Sequence, residues 1–142
     1  MGKVMARVKI IRADDYVAVD AGRLRRDQVR SLEIDMLVDT GAVMPALPEE
    51  IVEVLGLSRQ PERRPVRMAD GTVRRFEICD LAMEILGRSF LGLAWVLPRG
   101  TKALLGQIPL EALDLVVVPS TGEVIGNPLH PDGPILDLLS VA

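Results

Sequence analysis

Aromatic residues are nearly missing from this sequence of 142 residues, which contains one Trp, one Tyr and two Phe. The hydrophobic core must therefore be built from aliphatic side chains and methionine. Apolar residues make up 49% of the chain and charged residues 26%, which is typical of a globular protein. A chain of this length can form one domain with a substantial core and is too short for two ordinary domains. We therefore expect a single domain over residues 1–142.

Cysteine, histidine and long apolar runs are scarce as well. Cys79 is the only cysteine and cannot form an internal disulfide, so the fold does not depend on an oxidising compartment. One cysteine and one histidine, His130, are too few for the usual zinc site, and we expect no metal or cofactor. No apolar run reaches the roughly 18 residues of a membrane span, and the N-terminus lacks the apolar centre of a signal peptide. These absences predict a cytoplasmic protein with no membrane partner.

Positive charge is not in excess either. The chain has 17 Lys and Arg against 20 Asp and Glu, which gives a net charge of −3. Three arginine pairs, at residues 25–26, 63–64 and 74–75, have acidic residues nearby in the sequence and are interpreted as solvated surface. A nucleic-acid surface needs clustered Lys and Arg that displace counterions. We therefore expect no nucleic-acid partner.

The hydrophobic pattern predicts a mostly β fold with two short helices. Apolar and polar residues alternate at residues 4–10, as in a half-buried strand. Further strands are predicted at residues 16–19, 29–38, 66–68, 72–76, 81–86, 90–97, 115–118 and 124–125. One helix is predicted from Pro48 at its first position, two acids in its first turn and Gly56 at its end, and a second helix at residues 108–113. The tail from residue 126, rich in Gly and Pro up to residue 134, is expected to form an extended arm or a loop.

One segment has the pattern of a catalytic loop, the sequence Leu-Val-Asp-Thr-Gly-Ala at residues 37–42. Asp39 follows two aliphatic residues of a predicted strand, so its carboxylate should project from the end of that strand into a cleft. The hydroxyl of Thr40 can bond to the backbone and fix the loop. Gly41 permits close backbone approach, and its amide can donate to the carboxylate. The alternative interpretation is a turn carboxylate that only caps its own loop.

Two further elements follow this loop in an informative order. Leu-Pro-Glu-Glu opens a helix at residues 47–50, and Ala-Leu-Leu-Gly at residues 103–106 precedes a second helix that contains Leu-Glu-Ala-Leu. Together with the Asp39 segment, this order resembles the retropepsin-like aspartic proteases over about residues 28–125, and is similar to their bacterial single-domain members. The resemblance implies an acid-protease barrel with one lobe per chain. It also implies that Asp39, Thr40 and Gly41 are catalytic, and that Leu105 and Gly106 lie under the active loop and support it.

A hairpin is predicted where Asp70 and Gly71 separate two strand-like runs. The sequence by itself indicates only a solvent-exposed turn. The resemblance implies that this hairpin is the flap over the substrate and that its residues Met68, Ala69, Asp70 and Gly71 contact the substrate. It implies the same contact for Ala42, which follows the catalytic loop. The tip lacks the glycine-rich run of the viral enzymes.

Acid-protease chemistry requires two carboxylates that share a proton, and like charges about 3 Å apart push their pKa values apart. This chain has one Asp-Thr-Gly, because the other Thr-Gly, at residues 121–122, is not preceded by Asp. We therefore expect a two-fold homodimer that pairs Asp39 with Asp39 of the partner subunit. The expected function is an aspartic endopeptidase that hydrolyses peptide bonds with an activated water.

Two alternatives to an endopeptidase are left open at this point. The fold can serve as a dimeric peptide-binding or scaffold module with little turnover, or the chain can be an unrelated small barrel with a chance motif. A Ser-His-Asp site built on His130 is not indicated, because the sequence contains no Gly-x-Ser-x-Gly element. We interpret His130 as a surface or interface histidine.

Overall fold

The computed structural model describes residues 3–139. Residues 1–2 and the last three residues of the predicted C-terminal arm, 140–142, lie outside the described part. Within it, three α-helices and a short 3-10 helix accompany ten strands. In chain order the elements are β1 (Met5–Ile11), α1 (Ala13–Asp20), the 3-10 helix (Arg26–Gln28), β2 (Ser31–Val38), β3 (Ala46–Pro48), α2 (Glu49–Leu55), β4 (Arg64–Arg67), β5 (Val73–Phe76), β6 (Ile78–Ile85), β7 (Arg88–Leu97), β8 (Leu104–Leu105), α3 (Gln107–Ala112), β9 (Leu115–Val118) and β10 (Glu123–Gly126).

Six of the strands form a closed barrel in the order β1-β2-β8-β3-β7-β6. Most neighbours are antiparallel, but β2 runs parallel to β8 and β3 runs parallel to β7. In β1 the side chains of Ala6, Val8 and Ile10 are buried, as the alternation in the sequence predicts. The barrel interior is filled by aliphatic side chains and methionine, among them Met36, Leu47, Leu81, Met83, Leu105 and Leu113. The mostly β architecture with short helices is confirmed.

Two hairpins lie outside the barrel. Strands β4 and β5 pair only with each other, and so do β9 and β10. The β4–β5 turn holds Gly71 at φ 86°, a conformation that glycine adopts at little cost. The hairpin predicted around Asp70 and Gly71 is therefore present.

Helix α1 corrects the prediction of a strand at residues 16–19. A short apolar run cannot be assigned to a strand or a helix by its periodicity alone, and here a tertiary contact favours the helix. The buried carboxylate of Asp15, in the first turn, accepts hydrogen bonds from the Arg12 guanidinium at 2.8 Å and the Arg30 N–H at 2.9 Å. Burial raises the pKa of Asp15, but the bonds from Arg30 and Arg12 outweigh it and leave that pKa below its usual value. Residues 3–139 thus form three α-helices and not two.

Helix α2 is confirmed with a small shift. Pro48 is the residue that precedes the helix and not its first residue, and Glu49 and Glu50 occupy the first turn. Gly56 ends the helix at φ 62°, in the left-handed region. No helix within residues 3–139 has both the length and the apolar character required to cross a membrane.

The C-terminal arm is joined to the barrel through a buried arginine. Arg88 is 8% exposed and donates to the carbonyl oxygens of Leu113 and Asp114 at 2.9 Å each and of His130 at 2.8 Å. A Cβ on Gly126 would lie 2.6 Å from a guanidinium nitrogen of Arg88, so only glycine leaves room for this arrangement. The predicted arm is therefore held against the barrel at Gly126 and His130.

The Asp114 carboxylate fixes the same arm from its other side. It accepts hydrogen bonds from the side chains of Asn127 and His130 and from the N–H of Ile135. The bonds from Asn127 and His130 hold the pKa of the Asp114 carboxyl at about 2, well below its usual value. The side chain of His130, 26% exposed, thus lies on the arm as a partner of Asp114.

Candidate active site

Asp39 directly follows β2, and its backbone is anchored by β8. Its N–H donates to the carbonyl of Leu105 at 3.0 Å, and the N–H of Leu37 donates to the carbonyl of Ala103 at 2.9 Å. These bonds continue the parallel β2–β8 pairing, in which Val38 lies beside Leu105. The half-buried Asp39 side chain therefore leaves the barrel at a fixed position, where the strand ends.

The loop after Asp39 orients its carboxylate. The N–H of Gly41 donates to Oδ1 of Asp39 at 2.9 Å, and the N–H of Ala42 donates to the Asp39 carbonyl at 3.2 Å. A Cβ on Gly41 would lie 3.1 Å from Oδ1 of Asp39, so a larger residue would push on the carboxylate. The donation from Gly41 expected from the sequence is present, and it leaves Oδ2 free of hydrogen bonds within residues 3–139.

Thr40 differs from the expectation. Its hydroxyl makes no hydrogen bond to the described part of the chain, and the residue is exposed at the surface that carries Asp39. The loop is fixed by backbone amides instead. The role expected for the Thr40 hydroxyl therefore stays a prediction.

Leu105 and Gly106 pass directly beneath the loop. Leu105 is fully buried, with a relative exposure of 0%. A Cβ on Gly106 would lie 2.3 Å from the carbonyl oxygen of Met44 and 2.9 Å from that of Ala42. Because these neighbours are backbone atoms, the loop can rest on this position only when it is glycine.

Helix α3 completes the support. The first N–H groups of a helix have no acceptor inside the helix, and here carbonyl groups of the Asp39 loop accept from them. The N–H of Gln107 donates to the carbonyl of Ala42 at 2.8 Å, and the N–H of Ile108 donates to the carbonyl of Val43 at 2.9 Å. Sequence reasoning missed the backbone roles of Met44, Gln107 and Ile108, although a glycine directly before a helix was the available signal.

The predicted substrate-contacting tip of the hairpin lies on a separate element. The Asp70 carboxylate accepts from the N–H of Thr72 at 2.9 Å and from its hydroxyl at 2.6 Å, and the N–H of Met68 donates to the Thr72 carbonyl at 2.7 Å. The bonds from Thr72 lower the pKa of Asp70. Within residues 3–139 no hydrogen bond joins this tip to the Asp39 loop. Backbone contacts thus join Asp39, Gly41, Ala42 and residues 105–106, whereas the substrate contacts of residues 68–71 stay a prediction.

Other groups that could carry chemistry lie elsewhere. Burial raises the pKa of the Cys79 thiol to about 12, so the thiol stays protonated and is a poor nucleophile. In the part of the chain that the structure describes, no group of three His, Cys, Asp or Glu side chains is placed to hold a metal ion. A cavity of about 600 Å³ between β1 and α1 is lined by Lys9, Tyr16 and Arg26 among others, and does not include Asp39.

The comparisons with known proteins agree with this geometry. Residues 28–112 match the family described as "gag-polyprotein putative aspartyl protease". That match covers more than half of the 142 residues. The chain therefore belongs to this family of retropepsin-like aspartic proteases.

The chain also resembles solved structures. The chain is similar to the EIAV protease complexed with the inhibitor HBY-793, with a TM-score of 0.53 and 16% identity over 78% of this chain and 88% of that one. The solution structure of the Simian Foamy Virus (mac) protease matches with a TM-score of 0.45 and 16% identity, over 75% of this chain and 92% of that one. No curated protein matches the chain. The first of these likenesses is to the retroviral protease fold.

Proposed function

We propose that this protein is a homodimeric aspartic endopeptidase whose site is formed by Asp39 and by Asp39 of the partner subunit. The observation that carries the proposal is the position of the Asp39 carboxylate. It lies at the end of a barrel strand, is held by the Gly41 N–H at 2.9 Å, and belongs to a loop that rests on Gly106. Membership of an aspartic protease family gives this geometry its chemical meaning.

The reaction needs both carboxylates. One of them removes a proton from a water molecule, whose oxygen attacks the peptide carbonyl carbon, while the protonated carboxyl donates a hydrogen bond to the carbonyl oxygen. The tetrahedral intermediate then breaks its C–N bond as a proton passes to the leaving amine. Because two like carboxylates about 3 Å apart cannot both ionise, they hold one shared proton and are ready for both roles. A protomer with one Asp-Thr-Gly supplies half of this pair.

The surface around Asp39 supports pairing with a second copy. Val43 is 56% exposed and Ile108 is 42% exposed, and their backbones are joined by the bond from the Ile108 N–H to the Val43 carbonyl. The free hydroxyl of Thr40 lies on the same loop. Apolar side chains that adjoin a reactive carboxylate lower the free energy when a partner covers them. In the proposed dimer Thr40 finds its hydrogen-bond partners across the two-fold axis.

The substrate is an extended peptide between the two active loops and the β4–β5 hairpins. In this arrangement Ala42 and residues Met68, Ala69, Asp70 and Gly71 contact the substrate, while Leu105 and Gly106 only support the catalytic loop. The chemistry requires no metal or cofactor. We expect an acidic to near-neutral pH optimum.

Replacement of the catalytic carboxylate tests the proposal. We expect Asp39→Asn to lower kcat/KM for a peptide library by about 10²–10⁴-fold or more, because the amide cannot accept the proton of the water. Asp35→Asn is the matched control, since Asp35 is an exposed carboxylate on the same strand, and it should retain activity. Equal cleavage by the Asp39→Asn variant and the wild type would overturn the proposal.

The dimer is tested by dilution. Activity per protomer should fall at concentrations where sedimentation shows dissociation, because separated protomers have incomplete sites. Cleavage by a protein that is monomeric at every concentration would contradict the paired site. A stable dimer that binds a pepstatin-like inhibitor but cleaves no peptide would favour the alternative function, a peptide-binding or scaffold module.

A further inference from the structure

Positive charge is concentrated on one hairpin of a chain whose net charge is −3. Residues 63–76, here called the arginine hairpin, contain a single acidic residue, Asp70, whose carboxylate is bonded to Thr72. The hairpin's basic residues are Arg63, Arg64, Arg67, Arg74 and Arg75. Since the chain as a whole is acidic, this hairpin has a charge opposite to that of the body it extends from.

Most of these arginines have no carboxylate partner in the described part of the chain. Arg63 lies 3.7 Å from Glu77, whereas Arg75 donates only to the backbone carbonyl of Arg63 at 3.0 Å. Arg64, Arg67 and Arg74 make neither an ion pair nor a side-chain hydrogen bond within residues 3–139. All four arginines of the pairs 63–64 and 74–75 are exposed, which agrees with their interpretation as solvated surface, and Arg63 is the one of the four that lies near a carboxylate in the described residues.

The strand register sorts the free arginines onto two faces. Residues that lie directly opposite each other on an antiparallel pair project to the same face. Arg64 lies opposite Phe76, and Arg74 lies opposite Val66. Phe76 and Val66 are half-buried while the other strand residues of the hairpin are exposed, so Arg64 and Arg74 share the face that turns toward the barrel.

Arg67 occupies the other face of the hairpin. It lies opposite Val73, which is 57% exposed. Arg75, opposite Pro65, shares this outer face, so each face carries two of the four strand arginines, and the half-buried Val66 and Phe76 lie on the inner face alone. This difference supplies a matched pair of positions for a test.

The inner face borders a cavity of about 370 Å³ between the hairpin and the end of β7. Its apolar wall includes Phe76, Val96 and Leu97, and Arg74 and Arg75 lie at its rim together with Arg63. The volume is enough for one or two aliphatic side chains. The cavity thus combines an apolar wall with charged side chains, among them Arg74.

Two acidic residues also line this cavity, and both are already neutralised. Glu49 and Glu77 form ion pairs with Arg59 at 3.5 Å and 3.2 Å. Arg63 lies 3.7 Å from Glu77 as well, so two guanidinium groups, Arg59 and Arg63, face the two carboxylates. Arg74 makes no ion pair within residues 3–139 and can pair with a ligand.

We propose that this cavity and the inner face of the arginine hairpin form a binding site for acidic peptide segments, in which an apolar side chain enters the cavity and a neighbouring Asp or Glu pairs with Arg74. A guanidinium presents several N–H donors in a plane and can bind a carboxylate through two parallel hydrogen bonds. The inference rests on the proposed function, because it makes an acidic peptide the substrate class. It assigns substrate choice to the hairpin and catalysis to the Asp39 loop.

A nucleic acid is a less suitable occupant than a peptide. Single strands bind to basic surfaces that also present exposed aromatic rings for base stacking, and the only aromatic residue of the hairpin, Phe76, is half-buried in the cavity wall. The net charge of −3 also opposes a long polyanion.

Binding is tested with the full-length Asp39→Asn variant, which does not turn over the probe. The probes are fluorescein-labelled peptides of alternating apolar and Glu residues, with matched peptides in which Gln or Lys replaces Glu. We expect the Glu peptides to bind about tenfold more tightly than the Gln peptides at low salt, and to lose this advantage as salt screens the pairing. Adding Arg74→Glu should weaken the Glu peptides by about tenfold and strengthen the Lys peptides.

Arg67→Glu is the control, because it makes the same charge change on the outer face. It should alter affinity for the Glu peptides by less than about threefold. Equal losses from Arg67→Glu and Arg74→Glu would indicate a general field effect and overturn the site. Tighter binding of a thymidine 20-mer than of every acidic peptide would overturn it in favour of nucleic acid.

The outcomes for function and for specificity are separable. If the wild type cleaves peptides with equal kcat/KM for Glu and Gln sequences, and the inactive variant binds both equally, the acidic site is wrong and the protease stands. If the wild type cleaves nothing but the inactive variant still prefers Glu peptides in an Arg74-dependent way, the endopeptidase is wrong and the acidic site stands.

Discussion

The Asp39 loop and the arginine hairpin are two turns of the same chain that are held in opposite ways. The loop receives its backbone hydrogen bonds from Leu105, Gln107 and Ile108, which are remote in the sequence. The hairpin tip is held by its own residues, through the bonds between Met68, Asp70 and Thr72. The loop rests against fully buried side chains, whereas the hairpin strands are largely exposed.

This difference suits two separate roles in the proposed function, the positioning of the Asp39 carboxylate by the loop and the recognition of peptides by the hairpin. In the proposed dimer, a carboxylate that must meet its twin within about 3 Å needs a backbone that cannot move independently of the barrel. If the hairpin covers peptides as proposed, it must open without disturbing that backbone, and local hydrogen bonds permit this. The two turns can therefore be altered separately, and the following substitutions exploit that separation.

The largest effect is expected from Gly106→Ala. Its Cβ would lie 2.3 Å from the Met44 carbonyl oxygen, and backbone atoms cannot rotate away as a side chain can. We expect a loss of about 3 kcal/mol of unfolding free energy, the upper end of ordinary overpacking costs, or failure to fold. Urea unfolding followed by the fluorescence of Trp95 measures this loss. Gly41→Ala is the control, since its Cβ would meet only a side-chain oxygen of Asp39, at 3.1 Å. An equal loss in both variants would contradict the proposed importance of the contact between Gly106 and the Met44 backbone.

A smaller effect is expected from Gly71→Ala at the hairpin tip. The backbone at Gly71 has φ 86° with open space around it, so the cost is conformational strain of about 1 kcal/mol. Because the hairpin is held locally, this strain should speed hydrogen exchange at the amides of Met68 and Thr72 and leave exchange at Asp39 and Gly41 unchanged. Gly71→Asn should restore part of the protection, since Asn tolerates positive φ. Faster exchange at Asp39 would show that the two turns are coupled.

The smallest effect is expected in the C-terminal arm, which is held by distant residues, as the Asp39 loop is. The folded-state pKa of Asp114 is about 2, below its ordinary value near 3.9. Its ionised form therefore stabilises the fold above about pH 4, and this contribution is lost as the pH falls toward 2. Urea midpoints measured from pH 5 to pH 2 should fall less steeply for Asp114→Asn than for the wild type. Asp132→Asn, on the same arm, should keep the wild-type slope, and identical slopes in all three proteins would contradict the role of Asp114.

Much of the fold could be predicted because the relevant signals are local. Alternation predicted β1, β6 and β7, the residues around Pro48 and Gly56 predicted α2, and Asp70-Gly71 predicted the hairpin. The barrel order was not predictable from these patterns, since the parallel pairing of β2 with β8 depends on which distant strands meet. Helix α1 was missed for a similar reason, because the contact between Asp15 and Arg30 that favours it is not a property of residues 16–19.

The same distinction between local and long-range signals holds for the candidate active site. The segment around Asp39 and the Leu105-Gly106 element carry recognisable motifs, so their neighbourhood could be expected in advance. The free hydroxyl of Thr40 and the contact between Gly106 and Met44 could not, because they depend on how two segments face each other in space. The sequence predicted that Arg74 is solvated, but not that it lies beside a cavity, because that depends on where the hairpin meets the end of β7.

The bond from the Asp39 N–H to the Leu105 carbonyl also has a consequence for how the protein matures. It joins residues 66 positions apart, and β8, which provides it, is the last barrel strand in the chain. During synthesis the carboxylate cannot reach its working position until residue 105 has left the ribosome and closed the barrel. For the proposed endopeptidase this means that an incomplete nascent chain cannot cut its neighbours, so the order of the strands delays activity until the barrel is closed.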